Sequence, residues 1–172
     1  MRSYRCSDGL RDIEGRLSDF WPEPVPRAGG MLPAGEAMPA MWLRLTVERT
    51  ATIVAVQAVT DAGPYGGACG EITSDYQQLV GVRAARGYRD AIRRLFGRTA
   101  GCTHINELAA VMDSAVQQAM WSKLSQPADE PPFSIDGCHA LKSSGPQVAE
   151  FLPRWNPPVP PAAAPEFDSL RR

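Results

Sequence analysis

The stretch Met41-Trp42-Leu43-Arg44-Leu45-Thr46-Val47-Glu48 alternates apolar and polar side chains. Successive side chains of a β-strand point to opposite faces, so this alternation predicts a strand with one buried face. Thr52–Thr60 follows a short polar link and is rich in β-branched residues. The two segments together predict an antiparallel hairpin. Asp12–Phe20 alternates in the same way and predicts a third strand.

Helical periodicity replaces this alternation after the glycine-rich stretch Gly63-Pro64-Tyr65-Gly66-Gly67. Arg86–Phe96 and Thr103–Leu124 repeat apolar residues every three or four positions, which predicts amphipathic helices. A shorter helix is predicted over Ser74–Val80. Gly97 is predicted to end the helix before it as a left-handed cap. Strands followed by helices predict an α+β fold, with a three-stranded antiparallel sheet and helices packed on one face.

Proline marks the expected boundaries of this fold. Pro22–Pro39 and Pro127–Pro132 are predicted to be loops, because proline lacks the amide hydrogen that sheets and helices use. The end of the chain contains Pro-Pro-Val-Pro-Pro and is predicted to be a disordered, proline-rich tail. The expected organisation is therefore a single domain over residues 1–155 and a tail over residues 156–172.

Charge and hydropathy exclude several classes of protein. The 172 residues hold 18 Lys and Arg against 19 Asp and Glu, so bulk charge predicts no nucleic-acid partner. No apolar run approaches the ~20 residues that span a bilayer, which predicts no membrane partner. Acidic residues follow the N-terminus instead of an apolar stretch, so we expect a cytoplasmic protein without a signal peptide. The expected partner is a small-molecule substrate, and the oligomeric state is left open.

The cysteines and histidines form the main candidate site. Each of the two histidines stands within two residues of a cysteine, and a third cysteine lies in the glycine-rich loop. Three sulfurs and one imidazole suit a tetrahedral zinc or iron site, and the start of a helix favours the thiolate and neutral imidazole that a metal binds. The predicted metal ligands are Cys69, Cys102, His104 and Cys138. The alternative is that these cysteines pack as small buried hydrophobes.

Further residues are assigned roles around this centre. Asp61, Glu71 and His139 are the candidate proton carriers, because a carboxylate beside a metal can act as a general base on bound water. Turn capping and simple exposure are the alternatives for the two carboxylates. The candidate substrate-binding residues are Tyr65, Arg86 and Arg89. Tyr65 is either a lid on the glycine-rich loop or simply an exposed ring, and the two arginines are candidates since guanidinium groups suit phosphate. A solvated helix face is the alternative for the arginines.

Several segments resemble a known family. They are Asp8-Gly9-Leu10-Arg11-Asp12-Ile13-Glu14-Gly15-Arg16-Leu17-Ser18-Asp19, Met41–Val47, Thr52–Val56, Leu79-Val80-Gly81, Gly101-Cys102-Thr103-His104, Cys138-His139-Ala140-Leu141 and Pro153-Arg154-Trp155. Together they are similar to the bacterial proteins grouped as domain of unknown function 2889. That family has no established activity, so the resemblance implies a fold and a site more than a reaction.

A looser likeness is to iron–sulfur cluster scaffold proteins. They also run three antiparallel strands and then helices, and their cysteines would correspond to Cys69, Cys102 and the Cys138-His139 pair. The order of that dipeptide is reversed here, so the likeness implies architecture alone.

These observations leave three functional hypotheses. The first is a small metal-site enzyme with lyase, hydrolase or cyclase chemistry on a small organic metabolite, in aromatic or acyl-CoA catabolism or in secondary metabolism. The second is a non-catalytic metal or iron–sulfur carrier. The third is a metal-free enzyme in which Cys102 is the nucleophile and His104 or His139 is the base.

Overall fold

A computed structural model of the chain describes residues 1–85, 87–120, 129–132 and 134–157. It divides into two compact units, Met1–Ser125 and Gln126–Arg172. The predicted helix residues 121–124, part of the predicted loop Pro127–Pro132 and most of the predicted tail lie outside the described residues. The domain boundary at residue 155 stays a prediction.

The strands of the first unit are β1 (Arg2–Arg5), β2 (Arg11–Phe20), β3 (Val25–Arg27), β4 (Gly30–Leu32), β5 (Ala37–Val47) and β6 (Ile53–Ala62). Four of them form an antiparallel sheet in the order β1-β2-β5-β6, and β3 and β4 form a separate two-stranded hairpin. The predicted α+β class and the predicted hairpin of β5 and β6 are confirmed.

The alternation along β5 places its apolar residues in the core. Met41, Leu43, Leu45 and Val47 are each at most 2% exposed, whereas the intervening Trp42, Arg44 and Thr46 are half-buried on the opposite face. Register between β2 and β5 sets Ile13 opposite Leu45, so both strands send apolar side chains to the same side. The buried side of the sheet is therefore the side that the sequence pattern predicts.

The helices of the first unit cover this apolar side. The glycine-rich stretch leads into α1 (Gly67–Glu71), a 3-10 helix (Ile72–Leu79), α2 (Tyr88–Phe96) and α3 (Thr103–Met120). The apolar face of α3 joins the core cluster of the sheet, and Ile105, Leu108 and Met112 are buried in it. Gly15 of β2 lets α3 approach, because a Cβ there would lie 2.8 Å from Leu108 Cδ1.

Three details differ from the sequence-based expectation. The sheet has a fourth strand, β1, whose residues are all exposed and carry no apolar alternation. The region Pro22–Pro39, predicted as a loop, contains the β3–β4 hairpin, whose turn has positive φ at Gly29 and Gly30. Gly97 ends α2 in an extended conformation, with φ −68°, and is not a left-handed cap.

The second unit is described over residues 129–132 and 134–157. Its elements are a 3-10 helix at His139–Leu141, the short helix α4 (Pro146–Phe151) and a 3-10 turn at Pro153–Trp155. Among the described residues of both units, no helix is both long enough and apolar enough to cross a membrane.

Candidate functional site

Cys102 and His104 lie together at the start of α3. Cys102 Sγ is 3.9 Å from His104 Nδ1, within reach of a hydrogen bond to sulfur. The Asn106 amide donates to the carbonyl of Cys102 at 2.9 Å, so Cys102 is the residue that caps the helix. Both side chains are half-buried. The thiol and the imidazole therefore form a fixed pair beside the positive end of the helix dipole.

A buried tyrosine holds this turn in place. The Tyr76 hydroxyl donates to Asn106 Oδ1 at 2.6 Å and accepts from the Cys102 amide at 3.1 Å. Its ring stacks on Phe96 with centroids 4.4 Å apart. Burial raises the pKa of Tyr76, so its hydroxyl stays protonated and remains a donor at neutral pH. The backbone at Cys102 is therefore hydrogen-bonded to a buried residue of the 3-10 helix, and that residue is in turn bonded to α3.

Cys69 is connected to Cys102 through two paired residues of the sheet, Met41 and Thr60. Cys102 Sγ is 3.8 Å from Met41 Sδ, and Met41 is the register partner of Thr60 on β6. The Thr60 hydroxyl donates to the carbonyl of Cys69 at 2.9 Å. Gly63 fits against Cys69 only because it lacks a side chain, since a Cβ there would lie 2.5 Å from that of Cys69. Both cysteines thus pack near the same end of the sheet.

A cavity of about 460 Å³ opens beside the glycine-rich loop. Thr60, Asp61 and four glycines line one side of it, and Arg27 and Glu36 contribute charge. Gly66 has φ 58° and ψ −129°, a conformation essentially confined to glycine. The predicted proton carrier Asp61 is exposed and borders this cavity.

The other residues predicted around the loop are exposed. Glu71 is the last residue of α1, and its carboxylate lies toward Gly67, 3.8 Å from where a Cβ on that glycine would stand. The side chain of Tyr65 is 71% exposed. Their predicted roles as proton carrier and substrate contact stay predictions.

The predicted arginines lie elsewhere on the unit. Arg89 Nε is 3.5 Å from Asp113 Oδ2, so this side chain links α2 to α3. Arg86 falls outside the described residues. The predicted substrate roles of both arginines remain untested.

The remaining predicted ligands belong to the second unit. Cys138 and His139 are both exposed at the start of the 3-10 helix there. Within the described residues, no three His, Cys, Asp or Glu side chains are grouped as ligands of a metal ion. Of the four predicted metal ligands, Cys102 and His104 are the two whose side chains contact each other among the described residues.

Sequence reasoning missed Tyr76 and Asn106. Asn106 stands four residues after Cys102, so its spacing alone places it one helical turn along from that residue. Tyr76 gives no such signal, because its contact with Cys102 spans 26 positions of the chain.

Comparison with known proteins identifies the family. Residues 1–118 match the family described as protein of unknown function (DUF2889). The match covers more than half of the 172 residues, so the chain belongs to this family. Searches among curated proteins and solved structures gave no match. The matched region contains Cys69, Cys102 and His104, whereas Cys138 and His139 follow it.

Proposed function

We propose that this protein is a small hydrolase that uses the Cys102 thiol as its nucleophile and His104 as the base, acting on an ester or thioester of a small organic molecule. The distance of 3.9 Å between Cys102 Sγ and His104 Nδ1 carries this proposal. A nucleophile and a base within hydrogen-bond reach are the arrangement that covalent catalysis uses, and such contacts are often long before substrate binds.

The proposed reaction has two halves. The proton of Cys102 moves to His104 Nδ1 as Sγ bonds to the carbonyl carbon. The bond from that carbon to the leaving oxygen or sulfur then breaks, and the leaving group takes the proton from His104. Water, deprotonated by His104, attacks the acyl-cysteine, and the thiol is restored as the carboxylic acid departs.

The start of α3 supplies a second element of this chemistry. The amides of the first helical turn have no carbonyl partner within their own helix. Their partial positive charge stabilises the oxyanion that forms when sulfur adds to a carbonyl. Tyr76 already bonds the Cys102 amide at 3.1 Å, which leaves the amides after Cys102 for this role.

The cavity beside the glycine-rich loop is the proposed entry for the substrate. Its lining includes Thr60, whose hydroxyl bonds the Cys69 carbonyl, and glycine backbone forms much of its wall. Asp61 on its rim is the proposed polar contact for the substrate.

The test uses p-nitrophenyl acetate as a generic acyl donor on the full chain. We expect an acetyl group on Cys102, located by peptide mass spectrometry, and none on Cys6 or Cys138. Cys102→Ser should abolish acylation, and His104→Gln should slow it by about 10²-fold. Cys138→Ser is the matched control and should react at the wild-type rate. Equal acylation of all four cysteines would contradict the proposal.

A metal-dependent form of the same site is the second candidate. The placement of Cys69 and Cys102 around Met41 and Thr60 favours it, since two of the predicted sulfurs share one end of the sheet. Metal analysis of protein purified without a histidine tag separates the two candidates. The thiol mechanism predicts less than about 0.2 zinc or iron per chain, whereas a resident metal predicts about one, lost in Cys69→Ser.

A further inference from the structure

Two arginines stand directly opposite each other at one end of the sheet. Arg5 of β1 is the register partner of Arg11 of β2. Arg11 in turn pairs with Val47, whose side chain is buried on the helix-covered face. Like charges directly opposite each other destabilise an antiparallel pair. We therefore look for an anion that would offset the repulsion between Arg5 and Arg11.

A third arginine, Arg49, lines the same cavity as this pair. Arg49 lies in the turn between β5 and β6 and lines a cavity of about 570 Å³ together with Arg5 and Arg11. Leu10 and Met120 give this cavity an apolar wall. Its volume is in the range of small-molecule sites, which is about 300–1,000 Å³. Three arginines from three different segments thus line one cavity.

The carboxylates on this cavity are already engaged in its turns. Asp8 Oδ1 accepts from the Leu10 amide at 3.0 Å, and Glu48 Oε1 accepts from the Thr50 hydroxyl at 2.7 Å. Over the part of the chain that the structure describes, neither forms an ion pair with the three arginines. Three arginines against two carboxylates leave the lining of the cavity with one excess positive charge.

Two arginines that lie outside this cavity are paired with carboxylates. Arg44 lies 2.8 Å from Glu14, and Arg93 lies 2.8 Å from Asp90.

We propose that this cavity binds the phosphate group of a small soluble molecule. Guanidinium forks match phosphate oxygens in geometry and charge, and the remaining volume and apolar wall accommodate the organic part. Along β5 from Met41 to Val47 the two ends of the sheet are about 20 Å apart, so this site is separate from Cys102. It does not depend on the proposed function.

The test is isothermal titration of the full chain with inorganic phosphate, pyrophosphate and ADP at constant ionic strength. We expect binding that strengthens from phosphate to pyrophosphate, and a loss of about tenfold or more in Arg11→Gln and in Arg5→Gln. Arg94→Gln, an exposed arginine of α2 outside the cavity, is the control and should bind like the wild type. Equal affinity in Arg11→Gln and Arg94→Gln would overturn the proposal.

Thermal unfolding without ligand gives a second readout. Removing one of two opposed charges should raise the Tm of Arg11→Gln by about 1–3 °C while abolishing stabilisation by pyrophosphate. A lowered Tm would mean that Arg11 is a structural residue and would overturn the proposal. Sedimentation with phosphatidylcholine vesicles containing phosphatidylserine covers the lipid alternative. Binding to these vesicles without binding to pyrophosphate or ADP would also overturn it.

Discussion

Glu14 is a charged residue that the fold buries on the side of the sheet opposite the helices. Its side chain is 6% exposed, and it contacts Arg44 at 2.8 Å and Arg16 at 3.0 Å. Both guanidinium groups also lie over the ring of Trp42, at 5.6 and 5.9 Å from its centroid. The carboxylate is thus covered by the side chains that it neutralises.

Replacing Glu14 should destabilise the protein more than replacing its exposed partner. Glu14→Gln leaves Arg44 without a counter-charge, and the Nε of that arginine already has no hydrogen-bond partner among the described residues. We expect the free energy of unfolding in urea to fall by about 2 kcal/mol. Arg16→Gln, at a side chain that is 64% exposed, should cost less than about 0.5 kcal/mol. Equal losses in the two variants would contradict this view of Glu14.

The contacts of Glu14 with the two arginines also predict how its contribution to the free energy of unfolding depends on pH. Hydrogen bonds from Arg44, and then from Arg16, lower the pKa of Glu14 below its ordinary value of 4.5. A carboxylate with a lowered folded-state pKa stabilises the protein above the unfolded-state value and loses that effect as pH falls through the folded one. The stability gap between wild type and Glu14→Gln should therefore be full at pH 7 and shrink below pH 4.5. A gap that stays constant down to pH 3 would contradict the assignment.

Tyr76 offers a test of how the turn at Cys102 is held. Tyr76→Phe removes the hydroxyl that bonds both Asn106 and the Cys102 amide, and it leaves that amide without a partner. We expect a loss of about 1–2 kcal/mol in the free energy of unfolding and faster alkylation of Cys102 by iodoacetamide. Tyr65→Phe, at an exposed loop position, is the control. An unchanged alkylation rate in Tyr76→Phe would show that the hydroxyl does not hold Cys102.

At the scale of elements, periodicity predicts the parts of the fold that bury a face. The alternation along β5 identifies both its type and its buried side, because one residue of slip would expose every apolar side chain. The sequence pattern does not predict β1, since its four residues are exposed and carry no apolar alternation. The reason for a glycine at position 97 is also hidden from the sequence. A Cβ there would lie 2.5 Å from the Arg93 carbonyl oxygen, and only the folded structure shows that contact.

The junction between α2 and α3 depends on a second glycine. A Cβ at Gly101 would lie 2.6 Å from Phe96 Cβ and 2.7 Å from its carbonyl oxygen, and backbone cannot move aside easily. Gly101→Ala should therefore cost about 2 kcal/mol of stability and displace the start of α3. We expect acylation of Cys102 to fall in this variant. Gly70→Ala, where no described atom lies within 4 Å of the added Cβ, is the matched control for stability. Equal losses of stability in the two variants would contradict this account.

At the scale of the whole molecule, the candidate site is predictable only where it is local. The Cys102-Thr103-His104 spacing places thiol and imidazole together because two residues of one turn cannot be far apart. The wider metal set requires Cys69 and Cys138 to meet that turn, and such meetings depend on how distant segments pack. Sequence spacing carries no information on that packing, so the four-ligand centre stays a prediction.

The division into two units supplies the test at this scale. Among the described residues, every member of the buried core cluster lies between Ile13 and Met120, and the family match ends at residue 118. A chain ending at Ser125 should therefore unfold in one cooperative transition, with Tm within about 5 °C of the full chain. It lacks Cys138 and His139, so acylation of Cys102 at the full-chain rate would show that the thiol site needs neither. The full chain with Cys138→Ser and His139→Gln is the control for loss of the side chains alone. Loss of Cys102 acylation in both proteins would instead mean that the second unit completes the site, as the predicted metal centre requires.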